Sequence, residues 1–158
     1  MTPAPFTLVA IDPQVADRLR AAGGEIYVAD AKPSYPCRQC LLDAEIGEEL
    51  ILVSYDPFEE SGSASPYRSA SPIFLHREPC TPYRPEPSLP EQLTCRTLSV
   101  RAFDADEMML DAAIIEGASL AETIDALLGN TEVHHLHVHN ASRGCFAARV
   151  DRAGTTGR

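Results

Sequence analysis

The side chains with the most reactive chemistry are concentrated near the C-terminal end of the sequence. Histidine stands at every second position from His135 to His139, and Cys145 follows after a short loop that contains glycine. Because successive strand residues face opposite sides, the three imidazoles share one face, and the intervening Leu and Val share the other. Imidazole and thiol groups bind zinc, and they also form the base and nucleophile of cysteine enzymes. This strand is therefore the first candidate for a functional site.

Residues 133–140 and 145–150 are predicted to form a hairpin. Matching apolar residues to apolar residues across the two strands gives one sensible register, because a slip by one residue would put one strand's apolar set on the wrong face. Directly opposed side chains lie about 5 Å apart at Cβ. The predicted pairs are His139 with Cys145, His137 with Ala147, and His135 with Arg149. We therefore expect a polar pocket over the hairpin.

Three interpretations of this face stay open. In the first, His137 and His139 bind a metal ion. In the second, His139 activates the thiol of Cys145 or Cys37, with a guanidinium as anion or oxyanion partner. In the third, the histidines lie on a solvated or loop-covered face of the sheet, form hydrogen bonds to nearby carboxylates and have no chemical role. The additional residues are His135, Cys145, His76 and Cys37 as further metal ligands, Arg38 and Arg101 as guanidinium partners, and Asp56 and Asp104 as carboxylates.

A pocket for a small anionic molecule is compatible with all three interpretations, and it is the function that we expect first. Guanidinium groups bind carboxylates and phosphates through paired hydrogen bonds. Tyr67 stands beside one such arginine, at a ligand edge or as an ordinary loop anchor. The arginines concerned are Arg38, Arg68, Arg101 and Arg143. The sequence names neither a substrate nor a cofactor, and it leaves open whether the chain is an enzyme.

The motif Cys37-Arg38-Gln39-Cys40 has the spacing of a thiol redox site. It lacks the preceding apolar strand and the following long helix of such sites, and no second Cys pair is present to complete a zinc ribbon. We therefore interpret Pro36 and Cys37 as a fixed turn that enters a strand.

The pattern of apolar residues predicts the elements that must position these side chains. Asp12 and Pro13 are expected to start a helix that ends at Gly23-Gly24. A capping box of Ser119 and Glu122 is expected to open a second helix, which Gly129-Asn130 closes. The predicted strands besides the hairpin are residues 6–11, 25–29, 48–55, 73–76, 98–103 and 108–115.

This order of elements lacks the regular alternation of strand and helix that a parallel sheet requires. We therefore predict an α+β fold with a mostly antiparallel or mixed sheet and two short helices. Residues 1–152 are expected to form a single domain, and residues 153–158 a disordered tail.

The overall charge narrows the choice of partners. The chain has 158 residues, a formal net charge of -10 and a pI near 4.8. An acidic protein without a basic face is not expected to bind nucleic acid or an anionic membrane. The sequence begins without a basic segment followed by an apolar run, and its five cysteines are an odd number, so we expect reduced thiols and a cytoplasmic location. A homo-oligomer stays open.

Several segments together resemble a known family. They are Tyr35-Pro36-Cys37-Arg38, Ser65-Pro66-Tyr67-Arg68, Ser99-Val100-Arg101-Ala102-Phe103-Asp104, Leu136-His137-Val138-His139-Asn140 and Gly144-Cys145-Phe146-Ala147-Ala148-Arg149-Val150. From about Ala29 to Arg152, the chain resembles the uncharacterised bacterial family known as domain of unknown function 1203.

The resemblance implies a set of site residues but no particular activity. That set is Cys37, Arg38, Tyr67, Arg68, Arg101, His137, His139, Asn140 and Cys145. The residues outside the family's pattern are Cys40, Cys80, Cys95, His134 and His135. The resemblance therefore counts against a redox pair of Cys37 with Cys40 and against a three-histidine metal site. It leaves two histidines and one or two cysteines beside arginines.

Overall fold

The computed structural model describes residues 6–153, and residues 154–158 of the predicted tail lie outside the described residues. The helices are α1 (Pro13–Ala22), α2 (Glu91–Thr94) and α3 (Leu120–Leu128), and a 3-10 turn spans Gly117–Ser119. The strands are β1 (Phe6–Val9), β2 (Glu25–Val28), β3 (Glu49–Tyr55), β4 (Ser71–His76), β5 (Thr97–Phe103), β6 (Met109–Glu116), β7 (His135–Asn140) and β8 (Phe146–Arg152).

The strands form a five-stranded sheet in the order β1-β8-β7-β5-β6 and a three-stranded sheet in the order β2-β3-β4. All pairs of these strands are antiparallel. The predicted α+β fold with a mostly antiparallel sheet is therefore confirmed. None of the helices in the described residues is both long and apolar enough to cross a bilayer.

Two of the three hydrophobic clusters in the described residues join separate elements of the fold. The larger one joins α3 to one face of the five-stranded sheet, and it contains Ile124, Leu136 and Val138. The second contains Ile51 and Phe146, so it joins the small sheet to β8. Burial of this apolar surface is the main favourable term in folding. It also fixes how the two sheets sit against each other.

The two helix starts turned out differently. The Oδ1 atom of Asp12 accepts a hydrogen bond of 2.8 Å from the amide of Gln14, so the predicted cap of α1 is confirmed. Ser119 precedes α3 but makes no side-chain cap bond, so the predicted capping box is wrong. The 3-10 turn already continues into the helix there. Gly117 in that turn approaches the backbone so closely that a Cβ would stand 2.2 Å from the carbonyl oxygen of Leu93.

Helix α2 directly follows a proline-containing segment, and the sequence did not predict it. Pro90 precedes the helix, and its backbone carbonyl accepts hydrogen bonds from the amides of Leu93 and Thr94. Leu93 is fully buried in the larger cluster. Burial of this leucine favours a short helix that local composition alone did not predict.

The predicted hairpin forms, but its register differs from the prediction. His137 pairs with Arg149, and a bulge then brings His139 opposite Phe146. The shift by two residues leaves each face unchanged, since side chains alternate with a period of two. The bulge does change which residues share a face: it turns Phe146 toward the histidines and moves Cys145 away from His139. The predicted pairs His139–Cys145, His137–Ala147 and His135–Arg149 are therefore wrong.

Candidate functional site

The three histidines of β7, which we call the histidine ladder (His135, His137 and His139), are buried rather than solvated. Aromatic rings surround them. Phe103 stacks on His135 at 5.5 Å between ring centroids, and Phe58 meets His137 edge to face at 5.1 Å. The ladder is therefore part of a packed aromatic layer.

Few polar groups contact the ladder. His139 Nδ1 donates to the carbonyl oxygen of Gly144 at 2.9 Å, and His135 Nδ1 lies 3.0 Å from Nδ1 of His134. Neither ring nitrogen of His137 has a hydrogen-bond partner among the described residues. The expected bonds to Asp56 or Asp104 are not formed. Asp56 accepts from Arg68 instead, and Asp104 accepts from the backbone amides of residues 106 and 108.

Burial keeps the ladder uncharged. It lowers the pKa of His135 to about 3 and that of His139 to about 4, because the imidazolium form would lose its hydration. The pKa of His137 lies well below its usual value for the same reason, with the two neighbouring histidines adding to the effect. The rings of His137 and His139 are 6.2 Å apart between centroids. Metal binding by this pair stays a prediction.

The catalytic pairing of His139 with Cys145 loses its geometric basis. The ring of His139 contacts Phe146, whereas Cys145 lines a cleft together with Asn140. No hydrogen bond joins His139 to Cys145 among the described residues, although the amide of Asn140 donates to the carbonyl oxygen of Cys145.

That cleft brings together four of the predicted site residues. It has a volume of about 740 Å³ and opens between the small sheet and the turn that joins β7 to β8. We call it the Arg38 cleft. The predicted residues that line it are Arg38, Asn140, Arg143 and Cys145.

Arg38 is the most unusual residue of the cleft, since only 3% of it is exposed. Its Nε donates to the carbonyl oxygen of Phe146 at 2.7 Å and its Nη1 to that of Pro36 at 2.6 Å. Among the described residues, Nη2 has no hydrogen-bond partner and Arg38 forms no ion pair with a carboxylate. Asp43, whose charge acts on it, is already held by Arg96 at 2.6 Å. Burial lowers the pKa of Arg38 to about 10.

The other predicted ligand residues lie apart from this cleft, on the side of the ladder. Arg68 Nε donates to Asp56 at 2.7 Å, and the ring of Tyr67 meets Phe103 at 6.2 Å. Arg101, on β5 opposite His137, donates from Nε to the hydroxyl of Ser99. Its pKa is lowered by burial. The structure thus divides the predicted pocket between two places.

A second group of reactive side chains lies around the turn at residues 38–40, next to strand β4 of the small sheet. The ligand atoms of Cys37, Cys40, His76 and Cys80 all lie within 4.8 Å of one another. We call these residues the CCHC cluster. Sequence reasoning set Cys40 and Cys80 aside, although the spacings Cys-x2-Cys and His-x3-Cys were a signal that could have found them.

Backbone bonds fix the turn that carries Cys37 and Cys40. The amide of Leu41 donates to the carbonyl oxygen of Cys37 at 3.1 Å, and the amide of Cys37 donates to that of Leu42 at 3.0 Å. Leu41 has φ 58°, which closes the turn in the left-handed region. Cys37 forms a bridge to Phe74 of β4, the strand that ends at His76. The turn occupies residues 38–40, after Cys37, and no named strand follows it before β3, so the predicted turn at Pro36 and Cys37 that enters a strand is wrong.

Polar groups surround the CCHC cluster. The amide of His76 donates to Cys37 Sγ at 3.4 Å, and Arg20 Nη2 donates to Cys80 Sγ at 3.9 Å. Hydrogen bonds from Cys40 and Cys80 lower the pKa of Cys37 far below its usual value. Hydrogen bonds to Cys37 and Cys80 raise the pKa of His76 to about 11. The arrangement therefore favours thiolate at the centre of the cluster.

Comparison with known proteins agrees with the resemblance seen in the sequence. No curated protein and no solved structure matches the chain. A family model matches residues 34–152, which contain the CCHC cluster, the histidine ladder and most of the Arg38 cleft. The chain belongs to the family described as protein of unknown function (DUF1203).

Proposed function

We propose that the protein binds a small organic anion, a carboxylate or a phosphate, in the Arg38 cleft. The observation that supports this function is a buried guanidinium that forms no ion pair with any carboxylate of residues 6–153. An unpaired buried charge is costly, whereas a ligand anion at Nη2 would compensate it. Arg38 is held in place by two backbone carbonyl oxygens, which leave Nη2 free for a ligand.

Two further residues of the cleft fit such a ligand. Arg143 is exposed at the rim and supplies a second guanidinium. The Oδ1 atom of Asn140 is buried and has no hydrogen-bond partner among the described residues, so it can accept from a ligand hydroxyl or amine. The ligand class that fits best is therefore an anion that carries a hydroxyl or amino group next to its charged end.

The charges that line the cleft support an anion over a cation. Arg38, Arg96 and Arg143 line it, and Asp30 is the one carboxylate among the described lining residues. Asp30 accepts a hydrogen bond of 3.0 Å from the hydroxyl of Tyr35. The cleft also has the size of a pocket for a small molecule.

Calorimetric titration tests this function, with inorganic phosphate, lactate and malate as probes at low ionic strength. We expect saturable binding of at least one probe by the wild type. Arg143→Gln should weaken it about tenfold or more, since a charged hydrogen bond contributes about 1.5–3 kcal/mol. Arg38→Met should abolish it.

Arg84→Gln is the matched control, because Arg84 is also exposed but does not line this cleft. It should bind the probe as the wild type does. The proposal fails if the folded wild type binds none of the probes, or if Arg143→Gln and Arg38→Met bind with wild-type affinity.

A further inference from the structure

We infer that the CCHC cluster is a structural zinc site, with one zinc ion bound by three thiolates and one imidazole per chain. This inference stands on a different part of the molecule from the Arg38 cleft. It concerns a metal that holds the fold, and it does not depend on the anion.

Two distances within the cluster match the edges of a zinc tetrahedron, and all the ligand atoms lie within 4.8 Å of one another. Zn–S bonds of about 2.3 Å and Zn–N bonds of about 2.0–2.1 Å give edges of about 3.8 Å between two sulfurs and about 3.6 Å between sulfur and nitrogen. Cys37 Sγ and Cys80 Sγ are 3.7 Å apart, and Cys40 Sγ lies 3.6 Å from Nδ1 of His76. A disulfide would need about 2.05 Å between sulfurs. The side chains are thus spaced around a common centre.

The histidine is oriented as a zinc ligand. Its Nε2 lies 3.0 Å from Oε1 of Glu48, to which it donates, while Nδ1 faces the thiol of Cys40 and would give up its proton to bind the metal. A carboxylate behind a histidine ligand fixes the ring and its tautomer in many zinc sites. Glu48 in turn accepts a hydrogen bond from the amide of Glu45 at 2.8 Å, which anchors the carboxylate.

The surroundings also suit the charge of a zinc ion with three thiolates, which carries one net negative charge. The amide of His76 donates to Cys37 Sγ, and the guanidinium of Arg20 reaches Cys80 Sγ. Arg20 is itself fixed by the carbonyl oxygen of His76 at 2.8 Å and by Gln39 Oε1 at 2.6 Å. These donors stabilise the negative charge on sulfur.

Four protein ligands complete a tetrahedron and leave no position for water or substrate, so the site is structural rather than catalytic. The set of three sulfurs and one nitrogen selects zinc over harder cations such as Mg²⁺. On binding, the thiols and Nδ1 of His76 release their protons to solvent. The groove outside the cluster is lined by seven carboxylates and two guanidinium groups, which favours approach of a cation.

The zinc would connect three separate segments of the chain. It would join the Cys37–Cys40 turn, the end of β4 at His76, and the loop that follows at Cys80. Arg38 lies between the first two ligands, so the metal would also fix the base of the Arg38 cleft.

Metal analysis of the full chain, purified without an affinity tag, tests the inference. We expect about one zinc per chain in the wild type, and less than about a tenth of that in Cys40→Ser and Cys80→Ser. Cys95→Ser and Cys145→Ser are the matched controls, because these two cysteines lie outside the cluster. Both controls should keep a full complement of zinc.

Cobalt substitution keeps the inference testable if a variant fails to fold. Wild-type protein stripped of metal and titrated with Co²⁺ should show the visible bands of tetrahedral cobalt and a thiolate charge-transfer band, saturating at one equivalent. Absence of stoichiometric zinc and cobalt binding in folded wild type would overturn the inference. A disulfide within the cluster of freshly isolated, metal-free protein would do the same.

The two proposals can fail independently. Arg143→Gln should keep its zinc while it loses anion affinity, because Arg143 contacts no residue of the cluster in the described structure. Loss of zinc from Arg143→Gln would contradict the assignment of the metal to the four cluster residues.

Discussion

The protein has two groups of side chains of the types that bind metals, and in only one of the two do the ligand atoms converge on a common centre. The CCHC cluster draws its members from a turn, a strand end and a loop, and its ligand atoms lie within 4.8 Å of one another. The histidine ladder lies along one strand, with rings 5.1 and 6.2 Å apart between centroids and phenylalanines around them. Both groups contain histidine, but the side chains of the CCHC cluster converge, whereas those of the ladder follow one another along a strand.

The difference follows from the backbone. Alternate residues of one strand project in parallel and are spaced by about 6.6–6.8 Å along it, so a second feature must make them converge. A turn closed by Leu41 brings Cys37 and Cys40 together at once, and a bridge to β4 adds His76. Convergence of short segments is thus a stronger sign of a metal site than density of histidines along a strand.

Removal of the metal should change the free energy of unfolding more than any other test that distinguishes the CCHC cluster from the histidine ladder. Chelation of the wild type should lower the free energy of unfolding by about 4 kcal/mol, the stabilisation given by a ligand at about a thousand times its Kd. Urea unfolding with and without chelator measures it. Cys40→Ser, already free of metal, should not respond to chelator, and an equal response would contradict the zinc assignment.

The ladder should instead respond to acid. Unfolded His137 takes up a proton below a pH of about 6.5, whereas folded His137, packed between His135 and His139 and near Arg101 and Arg149, stays neutral. The unfolded state therefore binds more protons, and stability falls as the pH falls. His137→Leu should remove about 1.4 kcal/mol of that loss per pH unit, and should keep its stability near pH 7.

Urea unfolding of both proteins between pH values of about 7 and 4.5 measures this difference. Loss of bound metal in acid affects both proteins and cancels in the comparison. His134→Leu is the control, since that side chain is already exposed to water in the folded state. Equal acid sensitivity of the wild type and His137→Leu would show that the buried imidazole is not the cause.

A smaller effect, on zinc affinity, is expected from the carboxylate of Glu48 that accepts the hydrogen bond from His76. Glu48→Gln should weaken zinc binding about tenfold, because an amide orients the imidazole less strongly than a carboxylate. Competition with a chromophoric chelator measures the affinity. Glu45→Gln is the matched control: it is exposed, close in sequence and paired with Lys32 instead of His76. Equal weakening in both variants would point to general charge rather than to the hydrogen bond.

Substitution of His139, the ladder residue nearest in sequence to Cys145, is expected to leave the reactivity of that thiol unchanged. His139→Gln can still donate to the carbonyl oxygen of Gly144, and the histidine that it replaces does not bind the thiol. The alkylation rate of Cys145, measured by peptide mass spectrometry with Cys95 as internal reference, should therefore stay unchanged. A large fall in that rate would restore His139 as the base of a reactive cysteine.

Much of the fold was accessible from the sequence because its signals are local. The cap at Asp12 and the alternation of Leu136 and Val138 with histidines depend on neighbours within a few residues. The register of β7 and β8 was not accessible, because two registers separated by two residues match apolar faces equally well. The bulge before Phe146 then decided which side chains meet.

The candidate sites show the same division. Arg38, Asn140 and Arg143 were predicted as ligand-binding residues and Cys145 as a nucleophile, and the structure places all four around one cleft. Their separation from Tyr67, Arg68 and Arg101 depends on how two sheets pack. No sequence pattern describes that packing.

The sequence by itself determined the chemistry that the chain carries: thiols, imidazoles and guanidiniums at known spacings, within an antiparallel α+β fold. The tertiary structure decided which of them meet. Cys37 and Cys80 are 43 positions apart in the chain, yet their sulfurs lie 3.7 Å apart. Such contacts are set by burial of distant apolar segments against one another, and this non-local term leaves no periodic signal in the residues that it brings together.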